Sequence, residues 1–496
     1  MYSIIRALAS GLFFYHMGLG APSPLQPLEA RDSTNCNTAT NRACWISGSY
    51  DINTDFELHT PLTGNTRQYH LTLTEEDDWL GPDGVTKDKV MLVNGGIIGP
   101  TIYAQWGDTI SVTVTNNLIN NGTVLAIELN DICRPNSIVG TSIHWHGLRQ
   151  LNNNLQDGVN GVTECPIPPN GGSRVYTFIA EQYGTTCNHT MTIIESDLVP
   201  VNAFTTDSLF VGIGQRYDVT IDASQATDNY WLNITFGGGN LCGRSNNPYP
   251  AAVVRYNGAS NENPKYAGIT PTDHQCLDLL DLTPVVTRTV PTTGFTPSAN
   301  NSLDVGLSTT GKWTIDGSSL VVDWSVPVSQ IVLDNKTDWL PSNNVWQVDQ
   351  ANIWAFWLIQ NDPAVALPHP IHLHGHDFVV LGRSPASSAT NPTLYTFTSS
   401  DISSLTVNNP VRRDVTMLPA GGWIVIAFQT NNPGAWLMHC HIAWHVSGGL
   451  GVTFLERPSD YRAAVKEADI DALRSQCSAW NDYYPTDTYQ QYDSGV

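Results

Sequence analysis

A short histidine-rich segment in the last quarter of the chain has the side chains of a metal site. It reads H-C-H-I-A-W-H, from His439 to His445. A blue copper site uses one thiolate, two imidazoles and a weak or absent axial ligand, and Cys440 and His445 can supply the thiolate and one imidazole. Neighbours on an extended strand point to opposite faces, so His439 and His441 cannot both bind the metal that Cys440 binds. The segment therefore predicts two metal sites joined through one cysteine, which suits one-electron transfer between them.

Two other histidine clusters lie far from this segment in the sequence. One reads H-P-I-H-L-H-G-H and begins at His369, and the other reads H-W-H-G and begins at His144. We expect the first cluster to supply the second imidazole of the thiolate site. His372 and His374 are two positions apart, so both face one way on a strand. The H-W-H-G cluster has the same spacing and includes His146, so the three clusters predict a site built from distant parts of the chain.

The stretches around these clusters have the pattern of short strands. Ile110, Val112 and Val114 alternate with serine and threonine, which is typical of a half-buried strand. Similar strands are predicted at 211–221, 423–428 and 451–455. The 40 glycines and 30 prolines, with only 14% charged residues, fit turn-rich β structure. Many short strands with such turns predict a Greek-key sandwich or barrel, and one helix capped near Ser459 is expected close to the end.

The three histidine motifs resemble those of multicopper oxidases, and specifically those of secreted laccases of the ascomycete fungal type. The resemblance implies an all-β fold of tandem cupredoxin-like Greek-key sandwiches with a short C-terminal helix. It also implies copper as the cofactor, with four ions in a complete member of the family. The implied reaction takes one electron from each of four phenolic or aromatic amine molecules and reduces dioxygen to two waters.

The resemblance assigns a ligand role to every histidine of the three motifs except His376. The type 1 copper, which accepts the electron from the substrate, is implied to be held by His369, Cys440 and His445. The type 2 copper is implied to be held by His144 and His372. Four of the six type 3 ligands are matched by His146, His374, His439 and His441. Cys440 and His445 are also expected to act in catalysis, His445 as the point where electrons enter.

Other positions have roles that the motifs do not settle. Leu450 falls at the axial position of the type 1 copper, where a side chain that cannot coordinate should raise the reduction potential. Asp157 matches an acid near the type 2 copper that could relay protons, although a turn aspartate before glycine explains it nearly as well. Trp444 is expected to border the substrate pocket, and His376 to support a ligand by hydrogen bonding. Residues 493–496 resemble a laccase tail that enters the channel to the trinuclear cluster, or else form a frayed terminus.

A fourth copper motif of the family, W-Y-H-S-H, is missing from the sequence. After Thr185 a laccase would continue into this motif, whereas residues 186–194 resemble a strand found much later in the second domain. We therefore infer an internal deletion of roughly 100 residues, most of one ordinary domain. A skipped exon or a faulty gene model explains it better than a genuine two-and-a-half-domain protein. His189 and Met191 fall at the places of the missing histidines, but their neighbours match the later strand and favour membership of that strand.

The domain organisation expected from these matches includes an incomplete middle sandwich. It consists of a signal peptide at 1–20, a propeptide and N-terminal arm at 21–34, cupredoxin domain 1 at 35–187, the remnant of domain 2 at 188–285, and domain 3 at 286–496. The signal peptide is indicated by Arg6 followed by a short apolar run and small residues. The net charge of -22 argues against binding to nucleic acid or to anionic membranes. We expect a secreted, monomeric protein.

The cysteines and glycosylation signals fit an oxidising compartment. The sequence has 9 cysteines, and the laccase resemblance implies the pairs Cys36–Cys44, Cys133–Cys477 and Cys242–Cys276. Cys440 is reserved for copper, which leaves Cys165 and Cys187 without an assigned partner. Sequons occur at Asn121, Asn188, Asn233, Asn300 and Asn335.

Two alternatives to a laccase stay open from the sequence. The first is another multicopper oxidase that acts on ascorbate or ferrous iron, against which Leu450 and the tail at 493–496 argue. The second is a non-enzymatic copper binder, or an inactive splice or gene-model product, because the missing motif would supply two type 3 ligands.

Overall fold

The computed structural model describes a set of ranges that together make up most of the chain. They are residues 7–8, 44–46, 50–59, 64–81, 86–119, 140–182, 191–221, 225–236, 242, 251–265, 272–291, 295, 302–362, 366–387, 393–487, 491 and 493–496. Most of the predicted signal peptide and propeptide, and the junction that follows Gln182, lie outside these ranges. So do Cys36, Cys133, Cys187 and His189.

The first extended sheet is formed by residues 66–179. Three short strands precede it in the sequence, namely β1 (Ala7–Leu8), β2 (Cys44–Ile46) and β3 (Tyr50–Asp51). The sheet itself consists, in chain order, of β4 (Thr66–Leu80), β5 (Thr86–Val93), β6 (Thr109–Asn116) and β7 (Gly172–Ile179). Their spatial order is β5-β4-β6-β7, with β4 and β6 parallel. Alternate residues of β6 are buried, as its sequence pattern predicts.

Five further strands follow the first sheet in the sequence. They are β8 (Met191–Ser196), β9 (Val199–Thr206), β10 (Arg216–Thr220), β11 (Asn229–Asn233) and β12 (Ala251–Arg255). The strand predicted at 211–221 occurs only as β10, because residues 212–215 form a turn. Ile193, Val201, Tyr217 and Leu282 are buried in the same apolar cluster as strands near the C-terminus. Strands β8, β9 and β10 therefore share a core with the strands that follow residue 301.

Two larger sheets form a sandwich after residue 301. Their strands are β13 (Ser302–Leu307), β14 (Trp313–Ile315), β15 (Val345–Val348), β16 (Trp354–Asn361), β17 (His369–Leu373), β18 (Phe378–Arg383), β19 (Arg412–Arg413), β20 (Val415–Leu418), β21 (Trp423–Gln429), β22 (Gly434–Cys440) and β23 (Gly451–Glu456). The six-stranded sheet has the order β14-β13-β16-β21-β18-β19, and the five-stranded sheet has the order β15-β23-β22-β17-β20. Both sheets contribute to one buried apolar cluster, so their inner faces pack together as in a β-sandwich. The strands predicted at 423–428 and 451–455 are confirmed.

Four α-helices and four short 3-10 helices complete the described structure. The α-helices are α1 (Val328–Leu333), α2 (Ala443–Ser447), α3 (Pro458–Ala464) and α4 (Glu467–Tyr483). The 3-10 helices are Asn154–Gln156, Pro341–Asn343, Asp401–Ser404 and Tyr484–Thr486. The single helix expected near the end occurs as α3 and α4, because Val465 has an extended backbone. Across the described ranges, no helix has both the length and the apolar character needed to cross a membrane.

The disulfide prediction is partly wrong. Cys477 on α4 bonds to Cys165, not to Cys133, and the Cα atoms of the bonded pair are 5.1 Å apart. Both cysteines are buried in one apolar cluster that joins α4 to the segment before β7, so Cys165, thought to be left over, occupies the bonding position. The predicted pair Cys242–Cys276 is confirmed. Among the described cysteines that are not in disulfides, Cys440 is free and buried, as a copper ligand requires.

Candidate metal centre

The thiolate site lies where β17, β22 and α2 meet. His369 begins β17, Cys440 ends β22, and His445 lies on α2. The Cys440 Sγ atom is 3.6 Å from His369 Nδ1 and 3.3 Å from His445 Nδ1, and the two nitrogens are 3.1 Å apart. Metal–nitrogen and metal–sulfur bonds of about 2.0 and 2.3 Å fit inside such a triangle. The structure thus brings together one thiol and two imidazoles, the donor set of a blue copper site.

Burial sets the protonation state of these three side chains. It raises the pKa of the Cys440 thiol to about 12, so a metal must displace the thiol proton on binding. Burial has the opposite effect on the imidazoles, whose charged form it disfavours. It lowers the pKa of His445 to about 4 and that of His369 well below its usual value. Both rings are therefore neutral near pH 7, and each has a nitrogen lone pair available to a metal.

One side of the thiolate site approaches the protein surface. His445 is only partly buried, and the neighbouring Trp444 is 60% exposed. On the inner side, the ring of Trp313 lies 4.3 Å from the ring of His445 and 5.0 Å from that of His369. Leu450 is fully buried, and its carbonyl oxygen accepts a hydrogen bond from the Cys440 backbone nitrogen at 3.2 Å. The surroundings are thus apolar, with a single open edge at His445.

The other six histidines that the resemblance implies as ligands form a second cluster between residues 140–182 and the C-terminal sandwich. His374 Nε2 and His439 Nε2 are 3.2 Å apart. His441 Nε2 and His146 Nδ1 are 3.1 Å apart. The remaining two are His144 and His372, which have nitrogens within 4.8 Å of each other and of His374. The strand register produces this arrangement, because β17 and β22 pair with His372 opposite His439.

Contacts made by the Nδ1 atoms of these imidazole rings fix the orientation of the rings. Asp157 is fully buried, and its carboxylate lies 2.9 Å from His374 Nδ1 and 3.3 Å from His144 Nδ1. The Asp414 carbonyl oxygen accepts from His372 Nδ1 at 2.8 Å. A second hydrogen-bonding partner of this kind usually orients a metal-binding imidazole and selects its tautomer. Burial raises the Asp157 pKa, but the nearby His374 and His144 outweigh it and hold the pKa well below its usual value.

Copper fits this donor set because two inner nitrogens have no other partner. Within the described part of the chain, His144 Nε2 and His372 Nε2 are buried and form no hydrogen bond. A buried polar atom without a partner is costly. The Nδ1 atoms of His144 and His372 carry the ring protons and donate to Asp157 and Asp414. The Nε2 atoms of the same rings therefore have lone pairs for a metal. Neutral imidazole is a good ligand for copper.

Three further positions from the sequence analysis are His376, Met191 and His189. His376 is a supporting residue, as predicted, with Nε2 2.8 Å from Glu456 Oε2 and Nδ1 3.0 Å from the His374 carbonyl oxygen. Met191 begins β8 and pairs with Thr206, which supports its membership of that strand. His189 lies outside the described ranges.

The C-terminal tail packs against the helix that carries His445. Ser447 Oγ donates to Asp493 Oδ2 at 2.8 Å, and the Ser494 nitrogen donates to the Ser447 carbonyl at 2.9 Å. Trp324 Nε1 donates to the Gly495 carbonyl at 2.7 Å. The last four residues are therefore held in place, which argues against the frayed terminus.

Sequence reasoning missed Asp414 and a loop at residues 212–216. Asp414 follows two arginines in the sequence and has no spacing signal that relates it to the histidine motifs. The contact of the loop with the histidine cluster depends on how distant strands pack. Neither could be found from the sequence alone.

Comparisons with known proteins agree with this geometry. Sequence profiles described as Multicopper oxidase match residues 301–460, 185–259, 75–136 and 130–197. A laccase of Cryphonectria parasitica is 54% identical over 609 residues, covering 100% of both chains. Laccase-1 of Melanocarpus albomyces is 44% identical over 583 residues, covering 95% of this chain and 90% of the relative.

Solved structures support the same assignment. The crystal structure of a laccase from Botrytis aclada matches with a TM-score of 0.79 and 31% identity, covering 93% of this chain and 100% of that one. Fet3p, described as a multicopper oxidase that functions in iron import, matches with a TM-score of 0.65 and 18% identity, which supports the fold alone. The chain is therefore an oxidoreductase of the fungal laccase family, whose members are multicopper oxidases with copper as their cofactor.

Proposed function

We propose that this chain keeps the substrate-oxidising half of laccase function and has lost most of its capacity to reduce dioxygen. The retained oxidation of substrate is supported by the triangle formed by His369 Nδ1, Cys440 Sγ and His445 Nδ1. Copper bound at the assigned residues would supply one-electron redox chemistry. The substrate class is a small phenol or aromatic amine, as the family resemblance implies.

The surface edge of the thiolate site can receive such a substrate. His445 is partly exposed, and Trp444 beside it presents a 60% exposed aromatic side chain. A flat aromatic ring can stack or pack edge-on against these side chains. Buried Cys440 connects this edge through its backbone to His439 and His441, which belong to the second cluster. Electrons thus have a short covalent path from one site to the other.

The second cluster has too few imidazoles for the family's type 3 centre. We assign His144 and His372 to the type 2 position, with Asp157 holding the proton-bearing nitrogens of His144 and His374. The pairs His146–His441 and His374–His439 then each supply two imidazoles, where a complete laccase has three. Loss of even a hydrogen-bonded partner of a ligand costs about 10 to 100-fold in metal affinity or activity. The loss of a ligand itself should cost more.

The missing motif is explained by an internal deletion in the second domain. The Cryphonectria parasitica laccase aligns over 609 residues, more than the 496 residues of this chain, so the alignment includes relative residues with no counterpart here. This supports the deletion and the domain organisation with a remnant at 188–285. Several apolar residues of that remnant, including Ile193, Val201, Tyr217 and Leu282, are buried against strands of the C-terminal sandwich.

A single-turnover experiment tests the oxidising half directly. Anaerobic addition of a phenol to the copper-loaded chain should bleach the visible thiolate–copper band, with about one electron taken up per chain. A chain with His445→Ala, loaded in the same way, should show no such band. The exposed His59, whose Nδ1 atom lies 2.8 Å from the nearby Asp55 carbonyl oxygen, provides a matched control as His59→Ala. A parent chain that binds copper but is not reduced by the phenol would contradict the proposal.

We also propose that the protein is secreted and acts as a monomer. Residues 1–20 have the composition of a signal peptide. Two disulfides form between described cysteines, which is typical of an oxidising compartment. Of the predicted sequons, Asn233 and Asn335 lie at exposed positions, where a glycan can be attached. Mass spectrometry of the protein from culture medium would test the processed N-terminus and both glycans.

A further inference from the structure

The loop at residues 212–216 lies directly against the His146–His441 pair. Its Gly214 carbonyl oxygen is 2.9 Å from His146 Nε2. A Cβ atom placed on Gly214 would lie 2.7 Å from His441 Cδ2 and 3.1 Å from His441 Nε2. Gly214 also has a φ of +88°, a conformation that L side chains rarely adopt. Only glycine therefore fits here without displacing the His441 ring.

Arg216 holds the end of the loop beside the same histidine. Its Nη2 atom donates to Asp414 Oδ2 at 2.6 Å, and its Nη1 atom donates to the Gly214 carbonyl at 3.0 Å. The Nη1 atom also lies 2.8 Å from His146 Nε2. Asp414 offers its backbone carbonyl to His372 Nδ1 at 2.8 Å. The ion pair between Arg216 and Asp414 thus connects the loop to His146 on one side and to His372 on the other.

Further buried contacts fix the loop on its other side. Gln215 Nε2 donates to Asp278 Oδ2 at 2.9 Å and to the Val415 carbonyl at 3.0 Å. The Arg216 backbone nitrogen donates to Asp197 Oδ1 at 2.7 Å. Gln215, Asp197 and Asp278 are each at most 1% exposed. The position of the Gly214 carbonyl is thus determined by the surrounding structure.

We propose that the loop at 212–216, supplied by the incomplete second domain, positions the His146–His441 pair for copper. For Nδ1 of His146 to face a metal, its Nε2 must hold the proton and donate it to the Gly214 carbonyl. The two hydrogens of Arg216 Nη1 are then given to Asp414 Oδ1 and to the Gly214 carbonyl, not to His146. The bare Cα of Gly214 leaves room for the His441 ring at the distance seen. Gly214 and Arg216 are thus positioning residues, and this inference rests on the ligand roles proposed above.

A pair of glycine substitutions tests the inference. Gly214→Ala pushes on His441, whereas Gly311→Ala is matched in backbone conformation, with a φ of +79° and no atom within 4 Å of the added Cβ. Copper per chain is measured by mass spectrometry over a series of free copper concentrations, with the visible thiolate band as an internal reference. We expect about 10-fold or weaker binding to the histidine cluster in Gly214→Ala, an unchanged thiolate band, and parent-like binding in Gly311→Ala. Parent-like binding in Gly214→Ala would overturn the inference.

Two further variants keep the outcomes distinguishable. His441→Ala serves as the benchmark, because it removes a proposed ligand. If His441→Ala loses copper and Gly214→Ala does not, the positioning role is wrong and the ligand roles stand. If His441→Ala also keeps its copper, the ligand proposal itself fails.

A second variant applies if Gly214→Ala does not fold. Arg216→Lys keeps the charge opposite Asp414 but lacks the planar fork that reaches two acceptors, and we expect several-fold weaker copper binding from it. Parent-like binding by Arg216→Lys would then overturn the inference.

Discussion

At the scale of single residues, burial prepares the ligands for copper. Cys440 and His369 are fully buried, and this burial favours the neutral thiol and the neutral imidazole. The imidazole can bind a metal at once, whereas the thiol must release a proton. Copper loading of the thiolate site should therefore release protons and become weaker as the pH falls.

The thiolate itself is the source of the visible band. Replacing Cys440 by serine puts oxygen in place of sulfur and removes the charge-transfer transition, while the isosteric side chain keeps the packing of β22. We expect the copper-loaded Cys440→Ser chain to be colourless in the visible range. An absorption spectrum at equal copper content checks this. A visible band that survives the substitution would mean that Cys440 is not a copper ligand.

Glu181 provides a test of the electrostatics away from the ligands. Burial raises its pKa from 4.5 to about 7, although Arg149 opposes the shift. Between these values the carboxyl is protonated in the folded chain and charged in the unfolded chain, so the free energy of unfolding falls as the pH rises through this window. Relative to Glu181→Gln, the parent should lose about 1–2 kcal/mol between about pH 5 and about pH 8. Urea unfolding at the two pH values measures it, and a parent–variant difference independent of pH would contradict the assigned shift.

At the scale of elements, strand alternation is what made the ligands predictable. Residues two positions apart along a strand face the same way, so H-x-H spacing and the H-C-H segment determine which side chains can converge. The partner of Cys477 could not be found in this way. The partner, Cys165, lies 312 residues away in the sequence, and the sequence offered Cys133 as another candidate for the same bond. The contact of Gly214 with His441 likewise depends on the packing of a loop against a distant strand, which no local pattern encodes.

The short helix α2 depends on the C-terminal tail for its position. Ser447 at its end bonds to Asp493 and Ser494, and Trp324 loses its partner if Gly495 is removed. Deleting residues 493–496 should lower the free energy of unfolding by about 1–3 kcal/mol, since a buried donor is left unsatisfied. It should also broaden the type 1 signal, because His445 lies on α2. Thermal unfolding and electron paramagnetic resonance measure these effects. An unchanged melt and signal would show that the tail does not support the helix.

At the scale of the whole molecule, distant parts of the chain are held together by charged contacts and a shared core. Arg413 donates to Asp278 Oδ2 at 2.5 Å and to Tyr217 Oη at 2.9 Å. The partly buried Arg288 Nη2 atom donates to both carboxylate oxygens of Asp55 at 2.8 Å, which connects the N-terminal part of the chain to residue 288. Breaking a buried pair by removing one partner typically costs about 3–5 kcal/mol. These contacts connect the parts of the chain that surround the histidine cluster.

Oxygen uptake by the copper-loaded chain, with a phenol as the electron donor, tests the central claim most directly. On the proposed ligand roles, the thiolate site has all of its ligands, whereas two imidazole pairs each lack a ligand that W-Y-H-S-H would provide. We predict that the phenol bleaches the visible band and that no sustained oxygen uptake follows. A full-length fungal laccase, loaded and assayed in parallel, is the control. Sustained uptake by this chain at a rate near that of the control would contradict the account.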